Sequence, residues 1–265
     1  MIRVVITGVC GRMGRCITRG IAQHTDMQLV GAVQYPSHPQ IGSDAGVVAG
    51  ISDIGVAITG KLEDVVHRSD VVIEFSKPKA SLDHLQQVVD ADKAMVLGTT
   101  GFTDEELATI KVLASRIRCV MSPNMSLGVN VMLQALELIA KALGNDYNIE
   151  VIEAHHNHKA DSPSGTALRV AETITRALEQ NLDEVGVYGR HGIVGARPKK
   201  QICIHAVRGG DISGDHTVLF ATEGEQLSVV HRAHSPEAFA KGTIRAAKWV
   251  IDAPKGLHDV SEVLF

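Results

Sequence analysis

Arg3-Val-Val-Ile-Thr7-Gly8-Val-Cys-Gly11-Arg-Met-Gly14 stands close to the start of the chain. Its first five residues form an apolar, β-branched run, the pattern of a strand buried in a parallel sheet. A helix follows, reaching to about His24, and the glycines lie between strand and helix. Gly8 permits a tight turn, Gly11 lets backbone approach a pyrophosphate, and Gly14 allows the helix to pack close to the strand. The spacing is Gly-x-x-Gly-x-x-Gly, and glycines also serve plain turns. The strand–turn–helix context is what points to a dinucleotide. Gly8, Val9, Cys10, Gly11, Arg12 and Met13 are therefore candidate cofactor-binding residues.

Reading outward, strands and helices alternate. Strands are expected at Met27–Val33, Val71–Phe75, Ala94–Leu97 and Arg118–Met121. Helices are expected at Leu62–Arg68, Lys79–Ala91 and after Thr103, where Glu106 completes a capping box. Tyr35–Asp53, rich in Pro, Gly, Ser and Asp, reads as a loop. This alternation predicts an α/β fold with a Rossmann-like, doubly wound parallel sheet, which binds ligands beyond the carboxyl ends of its strands. Gly8–Met13, Glu74–Ser76, Gly98-Thr99-Thr100 and Ser122-Pro123-Asn124-Met125 lie at such ends, and Gln34 and Tyr35 follow the second strand. An acidic residue commonly follows the second strand to accept ribose hydroxyls, and this chain has Gln34 there.

Past Gly128, a helix is expected over Val131–Leu143 and a strand over Ile149–Ala154. The strand runs into Glu153-Ala-His155-His156-Asn-His158-Lys159-Ala-Asp161-Ser162-Pro163-Ser164-Gly165-Thr166-Ala167, which opens a helix to about Leu178. Ser162 before Pro163 reads as an ordinary cap with Pro at the first helical position. Three histidines and a lysine beside a helix N-terminus suit anion binding and proton movement near neutral pH. A metal site is the competing reading of the histidines, but Lys159 would repel the ion and no Cys lies nearby. Strands at Ile202–Val207, His216–Phe220 and Leu227–His231, joined by Gly-containing turns, predict a second α+β domain with a largely antiparallel sheet. Pro236–Ile251 reads as a final amphipathic helix.

The Glu153–Ala167 stretch closely resembles the substrate-site motif of the dihydrodipicolinate reductases, also called 4-hydroxy-tetrahydrodipicolinate reductases. Gly11-Arg-Met-Gly14 and Arg208-Gly-Gly-Asp-Ile-Ser-Gly-Asp-His216 are similar to other segments of that family, so the resemblance spans nearly the whole chain. It implies reduction of 4-hydroxy-tetrahydrodipicolinate, through its dehydrated form, to tetrahydrodipicolinate in the diaminopimelate route to lysine, with NADH or NADPH as cofactor. It assigns His155 as proton donor/acceptor and Lys159 as second proton donor. His156, Gly165 and Thr166 become contacts to the cyclic dicarboxylate substrate, and Gly98–Thr100 and Ser122–Met125 line the nicotinamide. Ser122 and Met125 differ from common family choices, a change that backbone contacts would tolerate. The resemblance also returns the last helix to the first domain, giving a dinucleotide-binding domain of 1–126 and 236–265 around a substrate-binding and oligomerisation domain of 127–235. A homotetramer through the second sheet is implied as well. Two other readings stand beside it: another nicotinamide-dependent amino- or keto-acid dehydrogenase, and a non-catalytic dinucleotide sensor. The pairing of His155 with Lys159 speaks against both.

Bulk composition bounds the rest. At 265 residues, 45% hydrophobic and 21% charged, the chain can bury large cores, and with 3% aromatics these must be mostly aliphatic. A net charge of −4 argues against a nucleic-acid surface. Cys10, Cys16, Cys119 and Cys203 show no zinc spacing and read as reduced thiols. No run of eighteen apolar residues predicts a membrane span, and Ile2 already enters a strand, so a cytoplasmic location is expected.

Overall fold

A computed structural model describes residues 1–265. The chain forms two compact units, Met1–Leu127 with Pro236–Phe265, and Gly128–Ser235.

In the first unit β1 (Ile2–Thr7), α1 (Arg12–Ala22), β2 (Met27–Val33), α2 (Ala45–Ala49) and β3 (Ile58–Thr59) come first. They are followed by β4 (Val71–Glu74), α3 (Pro78–Asp90), β5 (Ala94–Leu97), α4 (Asp104–Ala114) and β6 (Arg118–Met121). β1 lies parallel between β2 and β4, so the sheet grows in opposite directions from there, as the alternation predicts. Val4, Val5 and Ile6 are wholly buried, because helices cover both faces of such a sheet. Thr103 and Glu106 form the expected capping box. The 62–68 segment, expected as one helix, forms two 3₁₀ turns, Leu62–Asp64 and Val66–Arg68, because Val65 between them leaves helical geometry at φ −130°. The Tyr35–Asp53 loop holds α2, which its polar composition hides. Asp44 builds it by accepting hydrogen bonds from the N–H groups of Gly46, Val47, Ile54 and Val56.

The second unit contains α5 (Leu127–Leu143), β7 (Asn148–His155), α6 (Gly165–Ala177), α7 (Leu182–Val185), β8 (Gly186–Val187), β9 (Ile202–Arg208), β10 (Gly214–Thr222) and β11 (Glu225–Ala233). Its sheet has the order β11-β10-β7-β9-β8. The antiparallel ladders, nine register pairs for β10–β11 and seven for β10–β7, outweigh the parallel ones, seven for β7–β9 and two for β8–β9. The sheet is therefore mixed, with the antiparallel part dominant. β9 and β10, adjacent in sequence, are not neighbours, since β7 lies between them. The α6 crossover makes β9 parallel to β7 on one side, and β10 pairs antiparallel on the other side of β7. Val129, Met132, Leu133, Leu136 and Ala140 of α5 and Ala167, Val170, Ala171 and Ile174 of α6 pack on one sheet face, against Ile149, Val151, Ile202, Ile204, Val218 and Phe220. By length and composition, Leu127–Asp146 is apolar enough to cross a membrane. Here its apolar stripe builds this core.

The chain then returns to the first unit with α8 (Glu237–Trp249), β12 (Gly256–His258) and α9 (Val260–Leu264). β12 and α9 are too short to carry a periodic signal in the sequence. β12 joins parallel to β6, completing a seven-stranded sheet in the order β12-β6-β5-β4-β1-β2-β3. α8 lies so close to the segment after β6 that a Cβ on Gly242 would fall 1.7 Å from the Met125 carbonyl oxygen.

Candidate active site

Two adjoining clefts run along the carboxyl edge of the parallel sheet. The first, about 530 Å³, is lined by Gly8, Gly11, Gln34, Tyr35, Ser76 and His84, among others. The second, about 440 Å³, is lined by Gly11, Arg12, Met13, Gly98–Thr100 and Pro123–Met125, with Phe239 of α8. Gly11, Phe75 and Ser76 line both. This is the switch point between β1 and β4, where ligands of doubly wound sheets bind.

The glycine turn is built for close approach. Gly8 has φ +67°, and a Cβ there would meet the Phe75 carbonyl oxygen at 2.3 Å. A Cβ on Gly14 would meet the Gly8 carbonyl oxygen at 2.4 Å. α1 starts at Arg12, with Gly11 as a cap that offers no side chain and with no acidic residue in its first turn. The helix start therefore offers its N–H groups, the positive end of its dipole and Arg12 to an anion, which fits a dinucleotide pyrophosphate.

Among the residues expected here, Val9, Cys10 and Ser122 do not line the clefts. The Val9 side chain is wholly buried in the core. The Cys10 thiol bonds Gln34, and burial pushes its pKa up. Ser122 is buried, and its hydroxyl donates to the Asn124 carbonyl at 3.0 Å, shaping the turn. Met125 faces the second cleft while its side chain is buried in the core.

Glu74–Ser76, expected at a strand end, brings a buried carboxylate behind these clefts, whose burial and partners the sequence does not show. Glu74, fully buried at the end of β4, accepts from Thr7 Oγ1 at 2.6 Å, from the Ser76 N–H at 2.8 Å and from the Ser76 hydroxyl. It also pairs with His84 Nδ1 at 2.6 Å. Burial works against its charge, but His84, Ser76 and Thr7 outweigh burial and hold its pKa below the usual carboxylate range. Ser81 links Glu74 to the Thr99 hydroxyl, 2.8 Å away, so the carboxylate orders the wall of the second cleft.

In the second unit the histidine-rich stretch leaves β7 at His155. His156 N–H donates to the Ile212 carbonyl and Asn157 N–H to that of Gly210, so the Gly209–Ser213 connection braces the loop. The helix cap is Ser164, two residues later than the sequence suggests. Its hydroxyl accepts from the Ala167 N–H at 3.2 Å, and α6 starts at Gly165. The Ser164 N–H is not free for an anion, because it donates to Glu153 at 3.0 Å.

This puts His155, His156, Lys159, Gly165 and Thr166 at one end of β7 and α6. Lys159 Nζ lies 2.8 Å from the Asp161 carboxylate, which also accepts from the Gly165 N–H. His155 Nδ1 lies 2.5 Å from Glu153 Oε2. Both Arg208 Nη atoms donate to Glu153, at 2.9 and 2.8 Å. His216 packs edge-on to His155 with ring centroids 5.3 Å apart. Burial, then the neighbouring His155 and His231, bring the His216 pKa down to about 4, so His216 is neutral at pH 7. Burial also lowers the pKa of His155, against the opposing pull of Glu153. Glu153, Arg208 and His216 are functional neighbours that the sequence names only as parts of motifs.

Glu150, Cys203 and His205 bring their donor atoms within 4.8 Å of one another. Arg190 and Arg197 both bond Glu150, so this trio belongs to an ion-pair cluster that a divalent cation would find occupied by positive charge.

A doubly wound sheet with an uncapped glycine turn at its switch point, followed in the chain by a unit carrying histidines and a lysine at one strand end, defines a nicotinamide-dependent oxidoreductase. Residues 2–125 match the family model described as dihydrodipicolinate reductase, N-terminus, and residues 128–264 match dihydrodipicolinate reductase, C-terminus. The chain belongs to the dihydrodipicolinate reductase family. It is 46% identical over 263 residues to the 4-hydroxy-tetrahydrodipicolinate reductase of Magnetococcus marinus, covering 99% of this chain and 98% of that one. It is 44% identical over 264 residues to the enzyme of the same name from Syntrophus aciditrophicus, covering 100% and 98%. Its structure is similar to that of a dipicolinate-bound dihydrodipicolinate reductase from Paenisporosarcina sp. TG-14, with a TM-score of 0.77, 26% identity and 98% and 97% of the two chains covered. An amine dehydrogenase from Mycobacterium smegmatis, 14% identical with a TM-score of 0.62 and 98% and 95% coverage, shares the fold. The resemblance read from the residues is borne out. The enzyme catalyses the reduction of 4-hydroxy-tetrahydrodipicolinate in the diaminopimelate route to lysine, using a nicotinamide cofactor.

Proposed function

We propose that the two clefts of the first unit are where the cofactor would be held. Gly8–Met13 take the pyrophosphate, with Val9 and Cys10 acting through backbone. Gln34 and Tyr35 take the adenosine ribose, and Gly98–Thr100 with Ser122–Met125 take the nicotinamide. The bound cofactor supplies a hydride to the conjugated imine. His155 delivers the proton that the resulting enamine requires, and Lys159 serves as second proton donor. His156 and the Gly165–Thr166 helix start orient the substrate carboxylates. The observation that carries this reading is Asp161. Its carboxylate already bridges Lys159 and the Gly165 N–H, so this corner of the fold binds a carboxylate.

The cofactor preference is weak, with any bias toward NADPH. Gln34 has no charge with which to repel a 2′-phosphate. Arg15, whose Nε donates to the Cys10 carbonyl at 2.9 Å, brings a guanidinium to the same turn. The enzyme works in the cytoplasm as a homotetramer assembled through the second sheet. Val207 and Val230, 47% and 50% exposed, support that assembly, because the register puts them on the sheet face opposite α5 and α6.

The test follows NADH and NADPH oxidation with enzymatically generated substrate, in wild type and Lys159→Ala. Loss of a general acid should cost ~10²–10⁴ in kcat. Dinucleotide affinity, measured by fluorescence titration, should be unchanged. Wild-type kcat in the variant would sink the assignment of Lys159. Sedimentation velocity tests the tetramer.

A further inference from the structure

The reductase reading leaves a buried charge without a role. Glu153 lies two residues before His155 on β7, so the period of the strand puts both side chains on the same face. That face is otherwise apolar, with Ile149 and Val151 in the core, yet Glu153 is 0% exposed and His155 only 8%. A carboxylate in such a place is very costly unless its oxygens are fully bonded. Glu153 meets that demand with four donors: both Arg208 nitrogens, the Ser164 N–H and His155 Nδ1. Burial disfavours its charge, but Arg208, His155 and the Ser164 N–H outweigh it and hold the group ionised.

An ionised carboxylate can only accept hydrogen bonds. His155 Nδ1, 2.5 Å from Oε2, must therefore carry a hydrogen. The bidentate Arg208 pair keeps the carboxylate from rotating away. The lone pair of neutral His155 is then forced onto Nε2, which lies beside Gly214, where a Cβ would come within 3.1 Å of it.

We infer that Glu153, clamped by Arg208, is a positioning residue that holds His155 in the Nδ1–H tautomer and makes Nε2 the atom that takes up and delivers the proton. The inference rests on the reading of His155 as proton donor/acceptor. The charged and titratable groups around the ring are Glu153 on its own strand, Lys159 on the following loop, Arg208 from β9 and His216 from β10, with His231 of β11 behind His216. His216, neutral at pH 7, brings no charge there. Lys159 and Arg208 oppose an imidazolium, and Glu153 is the one carboxylate in the group that favours it. When Nε2 is protonated the ring becomes cationic, and Glu153 balances that charge without itself moving a proton.

The experiment uses the full-length enzyme with ¹⁵N-histidine and long-range ¹H–¹⁵N correlation spectra, alongside kcat against pH. In wild type above the His155 pKa, Nδ1 is expected to be the protonated nitrogen, although free imidazole side chains prefer Nε2–H. A wild-type His155 with its proton on Nε2 would overturn the inference, and this measurement needs no variant to fold. Glu153→Gln should release the tautomer, lower kcat by roughly 10²-fold with KM little changed, and move the His155 limb of the profile to lower pH. Glu153→Asp should restore part of kcat and the limb. Wild-type kcat in Glu153→Gln while His155→Asn is crippled would also overturn the role given to Glu153. Wild-type kcat in His155→Asn would overturn the proton-transfer reading itself. In the His155→Asn background, Glu153→Gln should cost nothing further, and an undiminished second loss would show that Glu153 acts as a structural strut alone.

Discussion

Gln34 follows β2 with a neutral amide where many dinucleotide sites have a carboxylate. It lines the first cleft, and its partner Cys10 is held at the glycine turn beside Arg15. Gln34→Glu is therefore expected to shift the ratio of kcat/KM values toward NADH by roughly tenfold, if one new repulsion with a 2′-phosphate costs ~1.4 kcal/mol. The measurement is kcat/KM for both cofactors in both proteins. An unchanged ratio would show that other side chains, such as Arg12 or Arg15, decide the matter. Single residues also mark where the sequence stops being legible. Gly8, Gln34 and Thr99 could be placed because each follows a strand whose apolar run is visible. Glu153 could not, because a carboxylate inside an apolar alternation gives no sign of what it meets. Its partners Arg208 and His216 reach it only through the register that puts Ala206 of β9 and His216 of β10 on either side of Glu153.

At the level of elements, the Tyr188–Lys200 stretch shows how an irregular segment is fixed without regular structure. Arg190 and Arg197 from it, with His205 of β9, converge on Glu150 of β7 at 2.8–3.0 Å. Burial opposes the charge on Glu150, but bonds from Arg190, His205 and Arg197 bring its pKa down to about 2. A carboxyl depressed on folding contributes stability that is complete above its unfolded pKa, near 4.5, and is lost as pH falls through about 2. Glu150→Gln should therefore be less stable than wild type at pH 7 by about 1–3 kcal/mol, for the loss of charged hydrogen bonds, and so melt at lower temperature. The gap should narrow steadily below pH 4.5. Melting curves of both proteins from pH 7 to pH 2.5 check this, and a gap that stays constant would count against the cluster. Strands and long helices in both units were readable from periodicity alone. The strand order of the second sheet was not, because the turn after β9 resembles a hairpin and the β7–α6–β9 crossover overrides it. Neither α2, built by one aspartate, nor β12, three residues long, leaves a periodic trace.

At the scale of the whole molecule the decisive feature is the path of the chain, which leaves the first unit after Leu127 and re-enters it at Pro236. Family resemblance suggested such a path, whereas periodicity could not, since nothing within α8 says which sheet it covers. Its buried residues Ala240, Ile244, Ala246 and Ala247 belong to the same core as Val4, Ile6, Val71 and Val96. The helix is seated against Met125 at Gly242, where no side chain would fit. A ribosome builds the chain from one end, so β1–β6 emerge long before the helix that covers them. Gly128–Ser235, being continuous, can close its own core while the apolar flank of the first sheet is still bare. Nascent chains stalled with α8 inside the exit tunnel should resist protease across Gly128–Ser235 and be cut within Met1–Leu127. Carrying Phe265 clear of the tunnel on a carboxyl-terminal linker should protect both. Equal protection at the earlier stall point would show that the first unit closes without its last helix. The order of maturation is thus the reverse of the order of synthesis: the segment made first is finished last, and a holding chaperone would have most to do at the amino-terminal half.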